Sequence, residues 1–318
     1  MFWGMMRSFS GEPLASRQGG PFDVPRLPLA TVEVEVQALE PVELPGWLGS
    51  MLHGALGGAL RSLVCGDACA RRHAQEPCAY ALLFERPRSL KPLSGRVAAT
   101  PPHPLVLRPP PPGPKRILEA GDTLRFGATL VGPAATTVGL FLAAVEEAGR
   151  IGLGRKRGRC AIAHVSSGRS TLGEPFVPGA LGVTLRTLTP LRLYREGRLV
   201  RAPVLGDFLL AAGRRLEALD AYFGTGTTYY EDALLRESGN RMVPQHDEWR
   251  PFRVMRLSTR QHLRHPMEGI VGTAAWEGDA SDFLPLLQAA ALVGIGKATS
   301  FGFGLFSLES SPAPSRSE

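Results

Sequence analysis

Two stretches of this chain repeat one pattern, and the repetition limits the fold more than any other feature. Residues 150–165 read RIGLGRKRGRCAIAHV and residues 293–309 read VGIGKATSFGFGLFSLE. Each carries Gly-x-Gly and then a base: Gly152, Gly154 and Arg155 in the first, Gly294, Gly296 and Lys297 in the second. Each follows an apolar stretch of helical character, VGLFLAAVEEAG or FLPLLQAAALV, and each runs on into a short strand. That order excludes two nucleotide-binding readings. A P-loop needs Ser or Thr directly after Gly-Lys, and here Ala298 follows Lys297. A dinucleotide fingerprint has a strand before its glycines and a helix after them, the reverse of what stands here.

The lead-in to each loop repeats as well. TVEVEVQAL alternates, with Val32, Val34 and Val36 on one face and Glu33 and Glu35 on the other, which predicts a half-buried strand. WLGSMLHGALGGALRSLV places Leu48, Leu52, Ala55, Leu56, Ala59 and Leu63 at helical spacing. DTLRFGATLV predicts a second strand with Leu124, Phe126, Ala128 and Leu130 inward, and the proline-rich PPHPLVLRPPPPGPKR predicts an extended surface segment. In the second half GVTLRTLTPLRLY reads as strand, LGDFLLAAGRRLEALDAYFG as helix, EGIVGTAAWEG as strand and DFLPLLQAAALV as helix. The chain therefore reads as an internal duplication. The expected class is α+β, two tandem ferredoxin-like domains, each strand–helix–strands–helix–strand. The expected organisation is a flexible arm over 1–30, a first domain over 31–166 with a cysteine-rich insertion, a Gly/Ser/Pro linker, a second domain over 180–309 and a flexible tail over 310–318.

The charge balance points to a polyanion. The 318 residues hold 36 Lys and Arg against 29 Asp and Glu, a net charge of +7, which favours a nucleic-acid partner. No apolar run reaches a membrane span, and MFWGMMRSF lacks the core and cleavage site of a signal peptide, so no membrane partner and a cytoplasmic location are expected. Basic residues are densest at Arg150, Arg155, Lys156, Arg157 and Arg159, and at Arg250, Arg253, Arg256, Arg260 and Arg264. Such sets suit tracking of a phosphate backbone, although any one of them equally fits a solvated basic face. Tyr229 and Tyr230 fit either base stacking or packing. Four cysteines do not make a disulfide scaffold in a chain of this length. Cys65, Cys69, His73 and Cys78 form the donor set of a structural zinc site, the alternative being three reduced thiols; Cys160 alternates with Ile162 and reads as core.

Several segments together carry a family likeness: LHGALGGALRSLVC, CAYALLFE, TLTPLRLY followed by RRLEALDAYFG, and GIGKATSFGFG. In that order, over most of residues 31–309, they resemble the RAMP superfamily of CRISPR systems. Within it they resemble the sixth CRISPR-associated family, the endoribonuclease that processes precursor CRISPR RNA. The resemblance implies binding of repeat RNA, or crRNA, and one cut per repeat without a catalytic metal or cofactor. The products would be a 5′-hydroxyl and a 2′,3′-cyclic phosphate. Subunits of a CRISPR effector complex are the further partners it implies. It places a catalytic histidine on the first helix, where His53 stands; His262 and His265 are fallbacks. The chain departs from the family pattern in having His53 where similar sequences have arginine, and Gly58 where they have histidine. Either His53 substitutes, or the chain is a catalytically silent RAMP subunit that grips crRNA; an unrelated ferredoxin-like enzyme built on a zinc site is the weaker rival. RNA contact is expected from Arg155, Lys156, Arg157, Arg159, Arg253, Arg256 and Arg260. In the second loop Gly294, Gly296, Gly302 and Gly304 would let backbone amides and Lys297 approach a phosphate, while Phe301 and Phe303 anchor the strand beyond them.

Overall fold

In a computed structural model the described residues are 21–66, 69, 78–87, 89–173, 180–258 and 263–312. The alternation of the first strand is realised in β1 (Leu27–Ala38), where Val32, Val34 and Val36 are buried and Glu33 and Glu35 are not. After β2 (Val42–Leu44) comes the glycine-rich helix α1 (Gly49–Val64), which buries Leu52, Leu56, Ala59 and Leu60; Leu63, expected on the apolar face, is 49% exposed. Next come the short helix α2 (Ala79–Phe84), β3 (Leu105–Arg108), β4 (Arg116–Leu118) and β5 (Thr123–Val131). A 3-10 turn leads into α3 (Val138–Ile151), and β6 (Cys160–Leu172) closes the first half.

The second half runs β7 (Ala180–Thr187), β8 (Tyr194–Arg195), β9 (Arg198–Leu199), α4 (Leu205–Phe223), α5 (Asp232–Asn240), β10 (Val243–Ser258), β11 (Leu263–Glu277), α6 (Leu284–Val293) and β12 (Phe306–Pro312). The duplication is plain in the sheets. One has the order β3-β5-β1-β6 and the other β10-β11-β7-β12, with every neighbour antiparallel. In both, the first strand of the half lies between the third and the last, as a split βαβ arrangement requires.

The structure corrects several expectations. Leu105, Val106 and Leu107 of the proline-rich segment are fully buried in β3 rather than lying on the surface. The flanking prolines hid a strand because only three apolar residues separate them. β6 extends to Leu172, which pairs with Leu27, so pairing continues past residue 166. Phe22 is buried edge-on against Phe283 of the second half, and β1 starts at Leu27, so packed structure begins before residue 31. Residues 174–179, 313–318 and 1–20 lie outside the described residues. α5 and β10 had no clear sequence signal.

The two halves share buried contacts. Leu27, Leu29, Val131 and Leu172 join the core of the second half. Arg215 on α4 is buried and donates to the carbonyls of His103, at 3.0 Å, and Val293, at 3.4 Å. Desolvation of the guanidinium, with Arg86 nearby, lowers its pKa to about 10. Carbonyl acceptors are what make such a buried cation tolerable. Trp47, just before α1, packs edge-on against Phe303 and Phe252 of the second half, with ring centroids 5.3 and 6.0 Å apart.

Candidate active site

The two glycine loops have the same backbone. Gly152 and Gly154 take φ of 102° and 75°, and Gly294 and Gly296 take 66° and 75°. A Cβ on Gly154 would strike the Glu43 carbonyl, and one on Gly296 would lie 2.6 Å from the Arg192 carbonyl. The next residue then donates its amide to the same oxygen: Arg155 to Glu43 at 3.3 Å, Lys297 to Arg192 at 3.0 Å. Positive φ and close approach together demand glycine there.

Beyond that point the loops diverge. The first closes on itself through paired backbone bonds between Leu153 and Gly158, 2.8 and 3.0 Å long. It exposes Arg155, Lys156, Arg157 and Arg159. Lys156 Nζ is 2.6 Å from Glu43 and Arg159 Nε 3.3 Å from Glu40. Among the described residues Arg155 and Arg157 have no ion pair, and Arg157 takes a left-handed φ of 55°. The second loop folds into a 3-10 turn, Thr299–Phe301, between left-handed Ala298 and Gly302. Its amides bond within the protein: Phe301 donates to Ala298 at 2.9 Å, Gly302 to Thr299 at 2.9 Å and Gly304 to Pro190 at 2.8 Å. The expected cradle of open amides is therefore a packed brace. Gly294 is buried and Lys297 is the exposed part. Phe303 is buried as expected, while Phe301 lies half-buried against α1.

Between α1, the first loop and β10 lies a cleft of about 540 Å³. Ser50, His53, Gly54 and Gly58 line its α1 side, Gly152, Gly154 and Arg157 the loop side, and Val254 and Met255 the β10 side. A Cβ on Gly54 or Gly58 would meet nothing within 4 Å, so packing does not require glycine at either position. Each costs the helix about 1 kcal/mol relative to alanine. At Gly49, by contrast, a Cβ would collide with the Phe301 carbonyl, and this close approach seats α1 on the second loop.

His53 lies against the second loop and lines the cleft that the first loop borders. Its Nδ1 lies 2.9 Å from the Ser300 carbonyl, its ring centroid 3.9 Å from that of Phe301, and Phe84 packs edge-on at 5.3 Å. A carbonyl only accepts, so Nδ1 is the donor. Ser300, Phe301 and Trp47 escaped the sequence reading as parts of the site; the alternation of glycine and phenylalanine in SFGFG was the only signal for the first two, and Trp47 had none.

The other candidates are scattered. Arg253 is 2.8 Å from Glu268. Arg256 lies in β10 opposite His265 of β11, and Arg260, His262 and His73 lie outside the described residues. Tyr230 is buried and donates to the Asp23 carbonyl at 2.6 Å, which removes it from base stacking; burial raises its pKa. Tyr229 carries the Arg96 guanidinium over its ring at 4.1 Å. Cys160 is core, as expected. The sulfurs of Cys65, Cys69 and Cys78 lie within 4.8 Å of one another, Cys65 and Cys78 at 3.5 Å. Burial and the neighbouring thiols push Cys65 up to about 12. Soft donors held this closely fit zinc, which takes them as thiolates.

A family model of an N-terminal domain matches residues 27–185, and the model of the CRISPR-associated endoribonuclease Cas6 matches residues 185–306. The second half of the chain is therefore a Cas6 endoribonuclease domain. Solved structures agree on the fold. A Thermus thermophilus Cas6 aligns over 89% of this chain and 99% of its own, at 20% identity and a TM-score of 0.53. A Cas6 product complex gives 23% identity and 0.54 over the same shares. A chain from a partial Cas6-RT-Cas1–Cas2 complex gives 14% and 0.56, over 91% of this chain and 47% of its own. No curated protein matches the sequence. Among the described residues, no helix of this Cas6-type chain is long and apolar enough to cross a membrane.

Proposed function

We propose that this Cas6-type endoribonuclease binds CRISPR repeat RNA along the first glycine loop and cuts it in the α1 cleft, with His53 as the catalytic imidazole. The observation that carries the reading is that His53 on α1 and the exposed Arg157 on the first loop line one cleft. In the reaction the ribose 2′-oxygen attacks the adjacent phosphorus. Its proton passes to the imidazole, the P–O5′ bond breaks, and the departing 5′-oxygen takes a proton from water or from the imidazolium. A 2′,3′-cyclic phosphate and a 5′-hydroxyl result. Histidine suits this work because its ordinary pKa lies near neutrality, and Arg157 is of the right charge to steady the phosphorane. CRISPR effector proteins are the proposed partners, and a cytoplasmic location follows from the substrate.

Gly58 favours one competing reading, a silent subunit that binds repeat RNA and never cuts it. Single-turnover cleavage of a repeat RNA in EDTA separates the two. Cutting by the unmodified protein, with a loss of roughly a hundredfold to ten-thousandfold in His53→Ala and unchanged RNA affinity, supports the proposal. Tight binding without any cutting supports the silent subunit. Cutting that EDTA abolishes while the protein stays folded, and that Mg²⁺ restores, contradicts the metal-free mechanism.

Cys65, Cys69 and Cys78 would hold a structural zinc ion, with His73 as the fourth ligand. Metal analysis of untagged protein should find about one zinc per chain, lost in Cys65→Ser/Cys69→Ser together with local stability. A folded, zinc-free protein removes this assignment.

A further inference from the structure

We infer that the second glycine loop is a positioning device for the catalytic imidazole: it holds the proton of His53 on Nδ1 and leaves Nε2 as the base. The inference rests on the proposed role of His53 and adds what sets that role. The hydrogen-bond partner of the ring, Ser300, is 247 residues away in sequence. Ser300 is 1% exposed, so its carbonyl accepts from Nδ1 in a setting where water does not compete freely. With Nδ1 protonated, a neutral imidazole has one basic nitrogen, Nε2. A histidine in the other tautomer would present an N–H donor where the 2′-hydroxyl proton has to be accepted. Fixing a tautomer through the far nitrogen is the role the aspartate plays in serine-protease triads, where the wrong tautomer is severely deleterious. Here a neutral carbonyl takes that place.

The loop is built to keep that carbonyl still. Left-handed Ala298, φ 68°, and left-handed Gly302, φ 77°, bracket the turn Thr299–Phe301. The Ala298 carbonyl accepts from both Phe301, at 2.9 Å, and Phe303, at 3.2 Å. Ala298 holds this conformation despite its side chain, which marks a turn determined by its surroundings. Phe301 then lies against the imidazole, its plane tilted 37° from the ring, and limits rotation about the bond to Nδ1. Gly49 admits the loop to this distance from α1. The imidazole is therefore aimed only when the second half is docked on the first. Phe301 is a positioning residue and touches no substrate atom in this scheme.

Two measurements test the inference. Nitrogen-15 NMR of histidine-labelled unmodified protein, with the His53 signals identified by their loss in His53→Gln, should show His53 protonated at Nδ1 in its neutral form. Protonation at Nε2 overturns the inference and needs no loop variant to be read. In single-turnover cleavage Phe301→Leu should lower the saturated rate by about tenfold to a hundredfold, the scale of a misplaced catalytic group, with RNA affinity unchanged. Phe301→Tyr, which keeps the ring, should restore it. A wild-type rate in Phe301→Leu, while His53→Ala is dead, overturns the inference and leaves the proposed function standing. A wild-type rate in His53→Ala overturns both.

Discussion

The two glycine loops begin as the same object and end as different ones. Both turn through a Gly-x-Gly pair at positive φ, and both donate the next amide to a carbonyl of the segment after the first strand of their own half. From there the first loop closes in four residues and turns arginines outward, whereas the second runs on through a 3-10 turn that packs beneath α1. The shared backbone solves a shared problem, the passage from helix to edge strand in a split βαβ unit. Past the second glycine of each pair the chain is free to specialise. In this protein one copy offers charge to the cleft and the other braces the histidine that faces it.

The largest effect that sharpens this contrast is on affinity. Arg155→Ala/Arg157→Ala should weaken RNA binding by on the order of tenfold to a hundredfold, with a salt slope shallower by roughly 1.4 for a single strand. Lys156→Ala should matter less, since Glu43 already holds that ammonium. Titration at several salt concentrations checks both, and an unchanged slope in the double variant would place RNA elsewhere. Next, Gly154→Ala and Gly296→Ala should each destabilise the fold by about 1–3 kcal/mol in denaturant melts, because each forces a side chain into a left-handed, crowded position. Markedly unequal losses would break the equivalence of the loops. Smaller still, Gly58→Ala should stabilise the protein by up to about 1 kcal/mol, since open space surrounds that Cβ. The smallest effect belongs to Lys297→Ala. A single exposed lysine on the bracing loop should change affinity by only about threefold, with a slope change no greater than roughly 0.7.

Much of this architecture was legible because periodicity and repetition report backbone geometry directly. Val32, Val34 and Val36 marked β1, and the paired Gly-x-Gly marked both helix-to-strand turns. β3 was hidden because prolines on either side mask three buried residues, Leu105 to Leu107. The candidate site was legible only in its parts. His53 and the arginines of the first loop stand out by residue type. The contact that orients His53 comes from a backbone carbonyl 247 residues away, and no side-chain pattern encodes a carbonyl. The same reason explains why the second loop invited a phosphate reading: glycines beside a lysine look identical whether their amides face a ligand or their own chain.

Comparing the two loops in one kinetic experiment tests the central claim most directly. Single-turnover cleavage of repeat RNA across a range of protein concentrations separates the concentration for half-maximal rate from the rate at saturation. Arg155→Ala/Arg157→Ala should raise the first and leave the second nearly unchanged, while Phe301→Leu should lower the second and leave the first nearly unchanged. If both variants move the same parameter, the division between a gripping loop and an aiming loop is wrong.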